Sequence, residues 1–411
     1  MINKITFFVL LLFTKSIFCE DIHETVRQEN MQELQTILLR DASLVNLIDS
    51  DKGVAPLHIA VELKNSDIVN LLLLKGADPN IKNKKGGTPL HVAAYKDYYD
   101  IANILIEHKA DINAKNLKGE TPLHLAVQKK NSDFIEEYLN KNPNIDSKDN
   151  SGITPLHLAV IVNSKKICNM LLNKNANINI KSNEGNTPLH VAIDNNLSEI
   201  ATLLIKRNAL LNERNNKSFT PLYLGIEHNN FDMAELLVSN GADVELKYND
   251  KNTVLHIAAQ KSDKTTHLLV DYGANVNAKN EDGSTPLHLA LENIRFFETL
   301  EPIVNELLNF GAESTVQNEA GVTPLHYAVQ IENLKIVNLL INRYTDFDVT
   351  DKNGSTPLHI ALRDNNSLEI CDLLLKYGAN INLKNNKGES AIDIANKAGK
   401  NKANLIKNYM K

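Results

Sequence analysis

Thr88-Pro89-Leu90-His91, running on into Val92-Ala93, is the stretch that decides the fold. It returns as Thr121-Pro122-Leu123-His124, Thr154-Pro155-Leu156-His157 and Thr187-Pro188-Leu189-His190. It weakens at Thr220-Pro221-Leu222-Tyr223 and Thr253-Val254-Leu255-His256, then recovers at Thr285-Pro286, Thr323-Pro324 and Thr356-Pro357. From Ala55-Pro56-Leu57-His58 to Thr253 the step is 33 residues each time. A fixed step of that size means a repeat array. No unit of such an array buries its apolar face alone; stacking on its neighbours does that.

One unit can be read physically from Thr121 onward. The Thr121 hydroxyl is placed to cap a helix N-terminus. Pro122 follows at the first helical position, where a missing N–H costs nothing. Leu123, Ala126 and Val127 then share one helical face. Asn131 suits a left-handed turn, and Phe134, Ile135, Tyr138 and Leu139 supply a second helix. In other units that helix stops at glycine, in Gly76-Ala77-Asp78, Gly241-Ala242-Asp243, Gly273-Ala274-Asn275 and Gly378-Ala379-Asn380. Glycine enters a left-handed C-cap without a Cβ penalty. An extended piece (Ile112-Asn113-Ala114-Lys115-Asn116) and a turn with Gly119 lead to the next Thr-Pro.

The composite Gly-Ala-Asp/Asn-x-Asn-x-Lys-Asn-x-x-Gly-x-Thr-Pro-Leu-His-x-Ala closely resembles the ankyrin repeat. The resemblance implies an all-α repeat solenoid of helix-turn-helix units with β-turn fingers. It also implies that the motif Thr and His hydrogen-bond within and between units, and that the concave face binds another protein.

Residues 1–19 read as a signal peptide. Lys4 precedes a run from Ile5 to Phe13 broken only by Thr6, too short to span a bilayer. Residues 21–54 form an N-terminal capping unit, with Val26, Leu34, Ile37 and Leu38 at helical spacing but polar Glu24, Arg27, Gln28 and Glu29. Ten repeats follow over 55–389, and 390–411 is a Lys-rich C-terminal cap. The pattern departs from itself at several points. Tyr223 replaces the motif His, Gly225 the following Ala, and Ser218 the turn glycine. The next unit has Val254 for Pro and Lys251 at its turn glycine, so the units at 220 and 253 are expected to be the weakest neighbours. The unit at 285 gains about five residues, read as an extended helix and longer loop, or else as a docking knob made by Phe296 and Phe297.

The net charge of −6 gives no electrostatic argument for nucleic acid or an anionic membrane. With no Trp and 5% aromatics, the core is expected to be aliphatic. Asn, Lys and Ile are frequent, which composition alone would assign to an AT-rich genome. Cys168 and Cys371 occupy equivalent positions six repeats apart, far beyond disulfide reach, and read as small buried hydrophobes. Nine of thirteen histidines belong to the motif: His58, His91, His124, His157, His190, His256, His288, His326 and His359. His23, His108, His228 and His267 are scattered, with no Cys or carboxylate at ligand spacing. Phosphate-loop, nucleophile-elbow and zinc-protease motifs are missing from the sequence. No catalytic, cofactor or metal residues are therefore assigned. Carboxylates such as Asp78, Asp111 and Asp243 read as turn residues, and Lys82, Lys115, Lys148 and Lys279 as a solvated edge.

What varies between units points to binding. Turn tips and outer first-helix positions are mostly polar, as at Lys84, Lys118, Gln128 and Lys129. Tyr95, Leu117, Ile153, Ile161, Val162 and Phe219 are apolar instead, and are the candidate partner-binding residues on the concave face. The expected function is a non-enzymatic protein–protein interaction module. It would be monomeric and without cofactor, small-molecule substrate or nucleic acid, and exported, with action on a host cell as one form of export. The alternative is a structural scaffold held at a membrane by an uncleaved N-terminal segment. A segment that is not a working signal would leave the chain cytoplasmic.

Overall fold

The computed structural model describes residues 22–292, 297–341, 345–363 and 368–410, with the side chains of 297–299 left aside. The expected signal segment, with Cys19, lies outside them. So do Phe296 and the Phe297 side chain, and with them the docking knob. The described residues divide into two compact bodies, one ending at Leu210 and the other beginning at Leu211. Each body is a solenoid of stacked antiparallel helix pairs. The only strand-like pairing among the described residues is an isolated bridge between Lys384 and Ser390. No described helix is long and apolar enough to cross a membrane.

In the first body a short helix over 22–27 pairs with Met31–Arg40. Five pairs follow: Pro56–Glu62 with Ser66–Leu74, Pro89–Lys96 with Tyr99–Glu107, Pro122–Lys129 with Ser132–Leu139, Pro155–Ile161 with Lys165–Asn173, and Pro188–Asp194 with Ser198–Lys206. The second body runs from Pro221–Glu227 with Phe231–Ser239 through to Ala391–Ala398 with Lys400–Tyr409. Its helix Phe297–Asn309 has 13 residues against nine in Phe231–Ser239, so the insertion at 285 does lengthen a helix.

Where the motif histidine is present, it rather than the threonine hydroxyl makes the shorter bonds at the first helix's N-terminus. Thr121 N–H donates to Nδ1 of His124 at 3.1 Å, and the Thr121 hydroxyl lies 2.8 Å from the same nitrogen. At Thr88 and Thr121 the expected N-cap arrangement is present as a capping box, with the threonine side chain toward the third helical N–H and the histidine ring on the threonine N–H. At Thr154 and Thr187 the hydroxyl accepts from that helical N–H at 3.4 Å. A backbone N–H can only donate, so Nδ1 is the acceptor and the proton sits on Nε2. That N–H donates to a carbonyl of the next unit: His58 to Gly87, His91 to Glu120, His124 to Ile153 and His157 to Asn186, all at 3.0–3.1 Å. One neutral imidazole thus caps its own helix and joins two repeats.

The turn between the helices holds a further correction. The left-handed residue is Lys130, at φ 60°. Asn131 has φ −74°, and its amide reaches back to donate to the Ala94 carbonyl at 2.8 Å. At the end of the second helix the glycine position carries positive φ in every unit from 55 to 253. Lys109, Asn142, Asn175 and Asn208 adopt it where Gly76 and Gly241 stand elsewhere. Asn tolerates that conformation and Lys does so at a cost.

The core is mostly Leu, Ile, Val and Ala, but it is not purely aliphatic. Phe134 and Tyr138 are fully buried, with ring centroids 5.0 Å apart, and the Tyr138 hydroxyl donates to the Ile112 carbonyl at 2.8 Å. Cys168 and Cys371 are buried free thiols, pushed up by burial to about 12 and about 11. Leu123 is 1% exposed. Leu123→Ala should therefore cost about 2–5 kcal/mol, read by chemical denaturation, and a loss below about 0.5 kcal/mol would contradict this packing.

Candidate partner-binding groove

Most fingers are closed by an asparagine or aspartate, and Ser182 and Tyr248 hold the equivalent position in two others. The Asn83 carboxamide oxygen accepts from the N–H groups of Lys85 and Gly87, at 2.9 and 3.0 Å. Between them Gly86 has φ 73°, and a Cβ there would lie 2.8 Å from the Leu117 nitrogen. That space is needed because Leu117 N–H donates to the Lys85 carbonyl at 3.0 Å. Asn150 on Lys118 and Asn183 on Ser151 repeat the bond at 2.9 and 3.0 Å. The strictest case is Gly152, where φ is 74° and a Cβ would come 2.5 Å from the Asn183 nitrogen. Gly152→Ala should cost about 2–3 kcal/mol, combining left-handed strain with a clash against backbone. Thermal unfolding measures it, and an unchanged midpoint would refute the finger contact.

Two more ladders tie the units together. Asn80 accepts from Asp111 N–H at 2.6 Å, Asn113 from Asn144 at 2.7 Å and Asn179 from Leu210 at 2.9 Å. Lys82 donates to the Lys115 carbonyl, Lys115 to Lys148 and Lys148 to Lys181, at 3.3, 2.6 and 2.6 Å. Of the lysines expected to be a solvated edge, Lys82, Lys115 and Lys148 are exposed and also act as inter-unit braces. The abundance of Asn and Lys has a structural cause at these positions.

Between the fingers and first helices of the units at 55, 88 and 121 lies an open groove of about 1040 Å³. Val54, Val92, Leu125 and the edges of His58 and His91 line it. Tyr95, 44% exposed, stands at its helix side, with Lys129 Nζ 4.2 Å from the ring centroid. A hydrogen bond from Lys129 also draws the Tyr95 hydroxyl below its ordinary pKa. Leu117, 70% exposed, stands on the finger side. Lys52, Lys84, Lys85, Lys96 and Lys118 border the groove, against Glu62 and Glu120. Lys84 donates to the Ser50 and Asp51 carbonyls, and Lys96 pairs with Glu62 at 3.7 Å.

Of the six candidate residues, Tyr95 and Leu117 share this groove. Ile161 is 51% exposed at the end of its helix, while Val162 beside it and Ile153 are half-buried. The Ile153 carbonyl is occupied by His124. Phe219 lies in the second body, half-buried and stacked on Tyr223 at 4.1 Å between centroids. Sequence reasoning had not singled out Lys52, Lys85, Val92 or Leu125. The signal was there: Lys52, Lys85 and Lys118 hold one finger position in three successive units, and Ser151 and Glu184 follow at the same step.

Other expected features resolve as structural. His23, thought scattered, is 2% exposed, and its Nε2 lies 3.0 Å from the Leu47 and Val54 carbonyls. It does for the first unit what the motif histidines do elsewhere. His267, read from the sequence as lacking Cys or carboxylate at metal-ligand spacing, has carboxylate neighbours in the fold. It sits between Asp271, at 3.2 Å, and Glu306, whose hydrogen bond raises its pKa. No cluster of three or more His, Cys, Asp or Glu suited to a metal ion occurs among the described residues. Where Tyr223 replaces the motif His, the Tyr248 hydroxyl takes up the partner threonine, 2.7 Å from Thr220 Oγ1.

Comparison with known proteins agrees with this architecture. A family model of ankyrin repeats in three copies matches residues 22–116, 114–182, 175–248, 240–302 and 294–385. Over 63 residues the chain is 44% identical to the Transient receptor potential cation channel subfamily A member 1 homolog of Caenorhabditis elegans. That match covers 15% of this chain and 5% of the relative, so the chain spans only a small part of that protein's length. Repeats of this kind are protein–protein interaction modules and generally not enzymes. With family matches running from residue 22 to residue 385, the chain belongs to the ankyrin repeat family.

Proposed function

We propose that the first body binds a protein partner through the groove between its fingers and first helices. The observation that carries this is the pairing of exposed Tyr95 and Leu117 across one concavity, rimmed by polar residues. Monomeric soluble surfaces rarely keep large apolar side chains together without a use for them, and aromatic anchors in concavities dominate interface energetics. The module acts as a monomer and without chemistry of its own. Tyr95→Asp with Leu117→Asp should abolish capture of the partner from cell lysate, read by quantitative mass spectrometry, while far-UV circular dichroism stays unchanged. Equal capture by the variant would reject the groove. Phe219 and Val162 are unsuited to this test, because each is half-buried and a charge there would disturb packing.

The protein is also proposed to be exported, with partner binding taking place outside the producing cell. Lys4 and the apolar run from Ile5 to Phe13 support that reading. N-terminal sequencing of the expressed protein tests it: loss of the first residues is expected, and an intact Met1 would reject cleavage and favour a tethered scaffold.

A further inference from the structure

The charge around the groove does not follow the charge of the chain. The protein carries −6 overall, yet five lysines and two glutamates border this concavity. Both glutamates are already engaged: Glu62 faces Lys96, and Glu120 accepts from the Asn116 amide at 2.9 Å. No carboxylate pairs with Lys52, Lys85 or Lys118 among the described residues. These three hold the same place on successive fingers and all line the groove, one repeat apart. The row ends where the groove ends, at Ser151 and then Glu184. Across from it are the Tyr95 ring, Val92 and Leu125.

From this juxtaposition we infer that the occupant is an acidic peptide segment carrying a large apolar side chain. Resting on the binding-module reading above, the inference names the partner's chemistry. Carboxylates meet the three finger lysines one repeat apart, and the apolar side chain inserts between Tyr95 and Leu117. Charge of opposite sign sets register and speeds encounter, while the buried apolar anchor supplies most of the residence time. A nucleic acid fits less well, because the basic row is short and the chain as a whole repels polyanions. A membrane surface is too flat to reach a concave apolar floor.

The test uses the full chain and fluorescent synthetic peptides: a run of Glu with one central Phe, the same run with Ala for Phe, and the Phe peptide with Lys for Glu. Tightest binding is expected for the first. Its affinity should weaken roughly tenfold as ionic strength rises from about 0.05 to about 0.5 M. The combined Lys52→Glu, Lys85→Glu and Lys118→Glu variant should lose at least about tenfold, whereas Lys206→Glu on the second helix Ser198–Lys206 should not. Circular dichroism of each variant confirms that the fold is kept. Affinity weaker than about millimolar for the Glu-Phe peptide, or equal affinity for its Lys counterpart, overturns the inference. So does tighter binding of single-stranded RNA or phosphatidylserine vesicles. If Tyr95→Asp with Leu117→Asp abolishes lysate capture but the triple lysine variant does not, the module stands and the acidic partner falls.

Discussion

Lowering the pH from 7 to 4.5 should strip most of the stability from both bodies. The motif imidazoles are buried, and burial holds His91, His157, His256 and His288 down at about 4. His58, His124, His326 and His359 are lowered for the same reason, each partly offset by its bond to a carbonyl. Above the unfolded value of about 6.5 the rings are neutral in both states, and their full contribution is present. As pH falls from there, the unfolded chain takes up protons that the folded chain refuses. Stability is lost across the window from about 6.5 to about 4, and the loss levels off once the folded rings protonate too. Each histidine held at about 4 contributes about 3 kcal/mol by this linkage. Two such groups in each body are enough to rival a typical stability of about 5–15 kcal/mol.

Geometry points the same way independently of the titration. A protonated Nδ1 would aim a hydrogen at the Thr N–H that now donates to it, so acid breaks the cap as well as charging the core. Urea denaturation followed by circular dichroism at a series of pH values is the measurement. The midpoint should drop steeply between pH 6.5 and 5. A midpoint constant over that range would mean that the histidines are not held neutral by the fold. His267 acts in the opposite sense, since Glu306 raises its pKa, but it is more than half exposed and its effect is slight.

Most of the fold could be read from the sequence because the information is repeated. Thr, Pro, Leu and His at fixed offsets say where each first helix starts, and the buried faces at Leu123, Ala126 and Val127 follow from period alone. What was hidden lies in contacts one repeat apart. Lys115 and Asn113 look like solvent-facing polar residues until the next unit places a carbonyl or an N–H beside them. Likewise His23 has no Thr-Pro signature to mark it, yet it meets the Val54 carbonyl as His58 meets Gly87. The groove was half legible. Tyr95 and Leu117 stand out against their own repeat positions, but the lysine row becomes visible only when one finger is aligned on the next. Phe219, an apolar residue before a motif threonine, packs on its own unit against Tyr223, a contact its sequence position does not announce.

His124→Ala should be the most damaging single change in the first body, at about 4–6 kcal/mol. The ring is fully buried and serves three polar atoms. Its removal leaves the Thr121 N–H and the Ile153 carbonyl without partners in a dry interior, at about 1–3 kcal/mol each. The vacated space adds a cavity cost of the kind seen for large-to-small core changes. The C-terminal unit shows which half of the job matters where. There Asp393 replaces the histidine, accepting from Ser390 N–H at 2.9 Å and from the Ser390 hydroxyl at 2.6 Å. Its carboxylate caps the helix but has no proton to give to a carbonyl. His124→Asn should therefore lose less than His124→Ala, because its side-chain oxygen can still accept from Thr121. It should also weaken the junction with the unit at 154, because its shorter arm does not reach Ile153. Hydrogen exchange at the amides of Leu158 and Leu156 reads that junction, and equilibrium denaturation reads the whole. Equal losses for the Ala and Asn variants would show that the cap contributes nothing apart from packing. A loss below about 1 kcal/mol for His124→Ala would show that the imidazole is not the link between repeats.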